Sequence, residues 1–208
     1  RTAYLRGQHN AAHGGREAKV VRVIEDDLRR LAKEHGGVLR AALQAPELER
    51  RTLAVFALGY SGSREVLPLL VEASRDPAEE LRIHAVVALG TLGVPETPVE
   101  PFERLLKDES PALRTAALYG IRRMAASGRD AGLAAAVHAR FADDSSDVRN
   151  EAAITAGRLG LKESVPLLLA GPVKDREPVV RQNAALALGR IGAAAKAATP
   201  NLIELLRD

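Results

Sequence analysis

One phrase constrains this chain more than any other: Val180-Arg181-Gln182-Asn183-Ala184-Ala185-Leu186-Ala187-Leu188-Gly189-Arg190-Ile191-Gly192. With Arg181 as position zero, small residues stand at +3 and +6, an apolar residue at +7 and Gly at +8. The same ruler laid on Arg149 meets Ala152, Thr155, Ala156 and Gly157. On Arg82 it meets Ala85, Ala88, Leu89 and Gly90, and on Arg51 it meets Ala54, Ala57, Leu58 and Gly59. On Arg114 it meets Ala117, Gly120 and Ile121, and then Arg122, where the Gly is missing. The anchors at 51, 82, 114, 149 and 181 are separated by 31, 32, 35 and 32 residues. A period of that size marks an array of stacked supersecondary units, none of which can bury its apolar face alone.

Two further marks travel with the phrase. An Asp stands six residues before four of the anchors, at Asp76, Asp108, Asp143 and Asp175. A Pro stands near the start of the following apolar segment, at Pro68, Pro98 or Pro101, Pro166 and Pro200. Asp, then Val/Leu-Arg, then Ala-x-x-Ala-Leu-Gly, then a Pro-led apolar segment resembles the HEAT repeat, and among its forms the short subtype named after phycobilisome lyases. The resemblance covers roughly residues 37–208. It implies an all-α, right-handed α-solenoid of about five helix pairs, with an N-terminal capping helix and a C-terminal half-repeat. Such an architecture mostly supplies surfaces, so it says little about chemistry.

A chain of 208 residues, 46% of them hydrophobic, can bury a sizeable core. Aromatics make up only 3%, so that core is built from Ala, Leu and Val. A net charge of +3 spread over 57 charged residues does not announce a nucleic-acid partner. Arg outnumbers Lys 24 to 6 and Ala is abundant, which is the codon signature of a GC-rich, bacterial genome. Without Cys there is no disulfide or thiolate chemistry, which fits cytoplasm and periplasm equally. No apolar run reaches the ~18 residues of a membrane span. The first residue is Arg rather than Met, so an upstream piece is expected, with room in it for a signal peptide or an anchor.

Along the chain, residues 1–37 read as a lead-in and a capping helix, and 38–208 as one continuous array. His9 and His13 would share a helix face, but no third ligand is spaced to complete a metal site, so none is expected. Residues 17–35 form a helix with a stripe at Ile24, Leu28, Leu31 and His35, stopped at Gly36-Gly37. The first helix of each pair (A) is expected near 38–44, 65–74, 98–107, 131–141, 163–171 and 199–207. The second (B) is expected near 47–60, 79–92, 111–125, 146–159 and 177–191. Pro46, Pro77, Pro111 and Pro178 suit B-helix starts, where a missing N–H costs nothing. Asp and Ser just ahead of them are expected N-caps. Gly62, Gly93, Gly128, Gly160 and Gly192 close B helices. The A helices carry apolar stripes such as Phe102/Leu105/Leu106 and Leu167/Leu168. Nothing alternates with period two, so no sheet is expected.

The recurrent Asp and Arg invite a phosphate-binding stripe, but the HEAT resemblance implies something plainer. In that family they form a ladder of hydrogen bonds between neighbouring repeats, here carried by Asp76, Arg82, Asp108, Arg114, Asp143, Arg149, Asp175 and Arg181. An Arg fork can satisfy a carboxylate and turn carbonyls together. Ala45 replaces the Asp of the first repeat, so its rung should be absent or altered.

The resemblance also implies that B helices line the concave side, with +1, +2, +5 and +9 turned away from the A layer. Among those positions are Phe56, Tyr60, His84, Val87 and Tyr119 in the N-terminal half, and Arg123, Arg158 and Arg190 at +9 of three consecutive repeats. An aromatic patch grading into a row of Arg suits a protein or peptide partner, because aromatics and Arg are the usual interface anchors. The plainer alternative has the +9 Arg bridging to Glu on the next helix and Phe56 and Tyr60 packing on the cap.

Enzymes with HEAT-like folds offer sharper tests. The di-iron hydroxylases acting on a lysine of a translation factor carry His-Glu dipeptides, and this chain has only the reversed Glu34-His35. The HEAT-like alkylpurine DNA glycosylases pair a strongly basic face with Trp, which is absent here. Bilin lyases share the repeat subtype and show no catalytic signature, so a lyase or chromophore chaperone stands as the alternative. No Ser/His/Asp set, phosphate loop or carboxylate pair converges in the sequence. The expected function is a non-catalytic scaffold without cofactor, with nucleic acid disfavoured, and oligomeric state and compartment open.

Overall fold

The computed structural model describes residues 16–125 and 132–198. His9, His13, Gly128 and the last expected A helix lie outside them. Helix α1 (Arg16–Glu34) precedes five helix pairs. The B helices are α3 (Leu48–Leu58), α5 (Glu79–Leu92), α7 (Pro111–Ala125), α9 (Ser146–Leu159) and α11 (Pro178–Ile191). The A positions hold α2 (Gly36–Ala42), α4 (Leu67–Ala73), α6 (Glu100–Leu105), α8 (Ala134–His138) and α10 (Ser164–Ala170). Short 3-10 turns (Arg64–Val66, Ala139–Ala142, Pro172–Lys174) extend three of the A helices. Among the described residues there is no strand. None of their helices is long and apolar enough to cross a membrane. The molecule is an all-α solenoid.

The Gly and small residues of the recurring phrase explain how the B helices stack. A Cβ built on Gly59 would lie 2.8 Å from the Ala88 Cα, and one on Gly157 would lie 2.6 Å from the Ala187 Cα. On Gly90 it would lie 2.0 Å from the Gly120 carbonyl oxygen. The +8 Gly of one repeat therefore faces the +6 residue of the next, and the two backbones touch. Arg122 cannot make that approach. At its interface the +6 residue is Thr155, whose hydroxyl donates to the Leu118 carbonyl at 3.3 Å.

The core lies between the A and B layers. Phe102, Leu105, Leu70, Leu89, Leu113, Leu118 and Met124 are among its fully buried side chains. Leu167, expected in the A stripe of the fifth pair, is instead 43% exposed, and Leu168 is buried. The α10 helix is seven residues long, so it presents only one edge to the core.

The B-helix N-termini differ from expectation in chemistry but not in place. The residues at the N-cap (Ala78, Ser145, Glu177) give no side-chain cap. The carboxylate two residues earlier takes over: Asp76, Asp108, Asp143 and Asp175 accept from the N–H of Ala78, Ser110, Ser145 and Glu177 at 2.8–3.0 Å. These are Asx turns, in which a short carboxylate satisfies an N–H two residues on.

The stripe of α1 is rotated from the expected one. Val21 and Ala32 are buried and Leu28 is half-buried, whereas Ile24, Leu31 and His35 are exposed. Val21, Glu25, Leu28 and Ala32 share one face at i, i+4, i+7 and i+11. The charge on Glu25 selects that face over the more apolar one, because it has a buried Arg partner.

Candidate functional site

Helix α1 packs against α2 and α3 and reaches as far as the third repeat. There the Arg123 guanidinium donates to Glu25 at 3.0 Å, with both side chains largely buried (22% and 13% exposed). Arg123 also donates to the Thr91 hydroxyl, the +9 residue of the repeat before, at 3.3 Å. Burial pulls the Arg123 guanidinium down, but Tyr60, Glu25 and Tyr119 together lift it above its ordinary value. Tyr60 is 6% exposed and stacks edge-on against Phe56, ring centroids 5.4 Å apart. Tyr60 and Tyr119 thus lie near Arg123, which faces Glu25 in the middle of α1, and Phe56 packs on Tyr60. His84 and Val87 are half-buried on α5.

The +9 Arg do not behave as three equal members of a row. Arg123 is taken by the N-terminal helix, not by a Glu on the next B helix. Arg158 and Arg190 are exposed, and no described residue forms a hydrogen bond or ion pair with either. Partial burial and the fields of Arg190 and Arg122 hold the Arg158 guanidinium below its ordinary value. Among the described residues, the charges of Arg158 and Arg190 therefore stand near one another with no carboxylate paired to either.

Arg122 was not picked out as a site residue by sequence, yet its departure from the +8 Gly was visible. Its Nε donates to Glu151 on α9 at 2.8 Å, and its guanidinium lies 4.6 Å from the Tyr119 ring centroid. Burial pushes the Glu151 carboxyl up, and Arg122 pulls against that shift. Farther along, the Asn183 amide donates to Asn150 at 2.8 Å, joining α11 to α9.

On the turn side, all five anchors donate through one Nη to two turn carbonyls of their own repeat, at 2.8–3.3 Å. Arg51 does so at Ala45 and Pro46, so the missing Asp does not remove this half of the rung. The carboxylate half closes at two interfaces. Arg114 forks onto Asp143 at 2.9 and 2.7 Å, and Arg149 onto Asp175 at 2.6 and 2.9 Å. Among the described residues no such fork joins Arg82 to Asp108. Arg140 adds a bond to Asp143 at 3.4 Å, beside an open cleft of about 340 Å³.

Catalytic groupings are sparse. The fold brings His138 Nε2 within 2.6 Å of Ser164 Oγ, which sequence spacing does not show. Ser164 is fully buried, so its hydroxyl has no route to a substrate. Burial lowers the His138 imidazole, which suits a neutral ring hydrogen-bonded inside the A layer. Among the described residues no three His, Cys, Asp or Glu side chains cluster to hold a metal ion.

The comparisons with known proteins follow the same lines. The chain is similar in fold to the crystal structure of an engineered protein, at 18% identity and a TM-score of 0.56, over 87% of each chain. It is also similar to human deoxyhypusine hydroxylase solved with glycerol, at 23% identity and a TM-score of 0.42, covering 88% of this chain and 77% of that one. That score carries neither fold nor activity across. No curated protein sequence gives a significant match. The family profile for HEAT repeats matches residues 36–122, 74–154 and 133–208. With the paired helices, the shared turn hydrogen bonds and a profile that spans the array, this chain belongs to the HEAT-repeat family.

Proposed function

We propose that the protein is a non-catalytic scaffold that holds a partner protein or peptide on the concave face lined by its B helices. One observation supports this above the others. Helix α1 already lies against the first B helix, with Val21 and Ala32 buried, and reaches the third B helix through the Glu25–Arg123 pair. What these B helices do within one chain they can do between chains, because burial of an apolar stripe with one desolvated ion pair is ordinary interface chemistry. Tyr60 and Tyr119 lie near Arg123, which Glu25 already occupies, and Leu186, Arg158 and Arg190 are left for a partner.

Site-specific photo-crosslinking tests the reading. Benzoylphenylalanine placed at Leu186 should capture a partner from the native host, and the same group at Leu167 on the A layer should not. Capture from the A layer alone would overturn it. So would a visible absorption change on mixing the protein with a bilin, which would move it to the lyase-like class.

A further inference from the structure

The stretch of this face beyond α1 has its own charge logic. Glu25 neutralises Arg123 in the third repeat, and the next two members of the same register are Arg158 and Arg190. Both are exposed, and Arg122 nearby is already occupied by Glu151. Resting on the reading that this face binds protein, we propose that its C-terminal half takes an acidic segment of a partner protein, whose carboxylates close onto Arg158 and Arg190 as Glu25 closes onto Arg123.

Neighbouring B helices pack roughly 8–10 Å apart. A helical segment with acidic residues seven apart spans about 10.5 Å at 1.5 Å per residue. One such pair of carboxylates therefore meets two consecutive Arg of the row. Leu186, 42% exposed on the same helix as Arg190, offers the apolar contact beside them, and the half-buried Leu28 stands likewise near Glu25 in α1. A polyphosphate backbone would meet the two Arg as well. The precedent within the chain is a carboxylate on an amphipathic helix, however, and a net charge of +3 does not announce a nucleic-acid surface.

The test uses the full chain and two fluorescent 20-residue helical peptides, identical but for Glu or Gln at two positions seven apart, with Leu between them. Anisotropy at low salt should show the Glu peptide binding at least about tenfold more tightly than the Gln peptide, since the two charge pairs lost are together worth a decade or more. The double variant Arg158→Gln with Arg190→Gln should erase that difference while far-UV circular dichroism stays unchanged. Equal binding of both peptides, with crosslinking at Leu186, would overturn the acidic preference and leave the face itself standing. No crosslink from either peptide or from a host partner at Leu186 would remove both. Retention of a 20-base DNA more tightly than the Glu peptide would overturn the proposal in favour of a phosphate ligand.

Discussion

At the scale of single residues, the repeat phrase is a set of steric permissions. Gly90 is the tightest of them, since its Cβ would sit inside the Gly120 carbonyl. Gly90→Ala should destabilise the protein by about 2–3 kcal/mol, the cost of overpacking against backbone that cannot rotate away. Gly189 stands at the same phrase position with no described atom within 4 Å of its Cβ. Gly189→Ala should therefore stabilise by about 0.5 kcal/mol through helix propensity alone. Urea unfolding of both variants checks the pair, and equal effects would contradict the packing account. The acidic rungs add a pH dependence. Burial pushes Asp143 up, but the Arg114 fork and the Ser145 N–H outweigh it and hold the carboxyl below the usual value of 3.8. The Arg149 fork, against burial, does the same for Asp175. The folded state then binds fewer protons than the unfolded chain near pH 4. Their contribution is complete above the unfolded pKa and is lost as pH falls through the folded one. Denaturation midpoints should drop from about pH 4 downward, and Asp143→Asn with Asp175→Asn should flatten that slope. Asp143→Ala at pH 7 should cost ~2 kcal/mol, because it leaves the half-buried Arg114 with only its two turn carbonyls.

At the scale of elements, α1 is where expectation and structure differ most. A hydrophobic stripe of Ile24, Leu28 and Leu31 is the more apolar face, and an isolated amphipathic helix would bury it. The helix turns about its axis instead, so that Glu25 reaches Arg123, 98 residues away in the chain. One charge outweighs several methyl groups here because an unpaired Arg in that position would be desolvated without compensation. Glu25→Lys should release α1 from the array. Amide exchange along Val20–Glu34 should accelerate by at least tenfold while α5 and α7 keep their protection. If α1 stayed protected, its apolar contacts alone would hold it. Release of α1 would also free Arg123 from Glu25, so a host partner should crosslink from the N-terminal half of the face in this variant and not in the parent chain.

At the scale of the whole molecule, stability is distributed along one dimension, each repeat leaning only on its neighbours. The interface between α7 and α9 lacks the Gly contact and carries the Arg122–Glu151 pair beside an Arg114–Asp143 fork like that of the next interface, with the Asp143 side chain 3% exposed. In Gly90→Ala the junction between the second and third repeats should open first. Exchange should then accelerate in α3 and α4, with α9 and α11 still protected, whereas uniform acceleration would show the array unfolding as a single unit. The sequence by itself determined the repeat, its helix boundaries to within a few residues, the Pro and Gly that punctuate it, and the absence of a sheet among the described residues. Those are local properties, written five times over, so each copy corrects the reading of the others. Only the tertiary structure decided which Asp carboxylate meets which Arg, which face of α1 is buried, that Arg123 is taken while Arg158 and Arg190 are open, and that Arg122 holds Glu151. Those pairings join residues 26 to 98 positions apart. They depend on how far one helix is rotated against another, a quantity that periodicity along the chain does not contain.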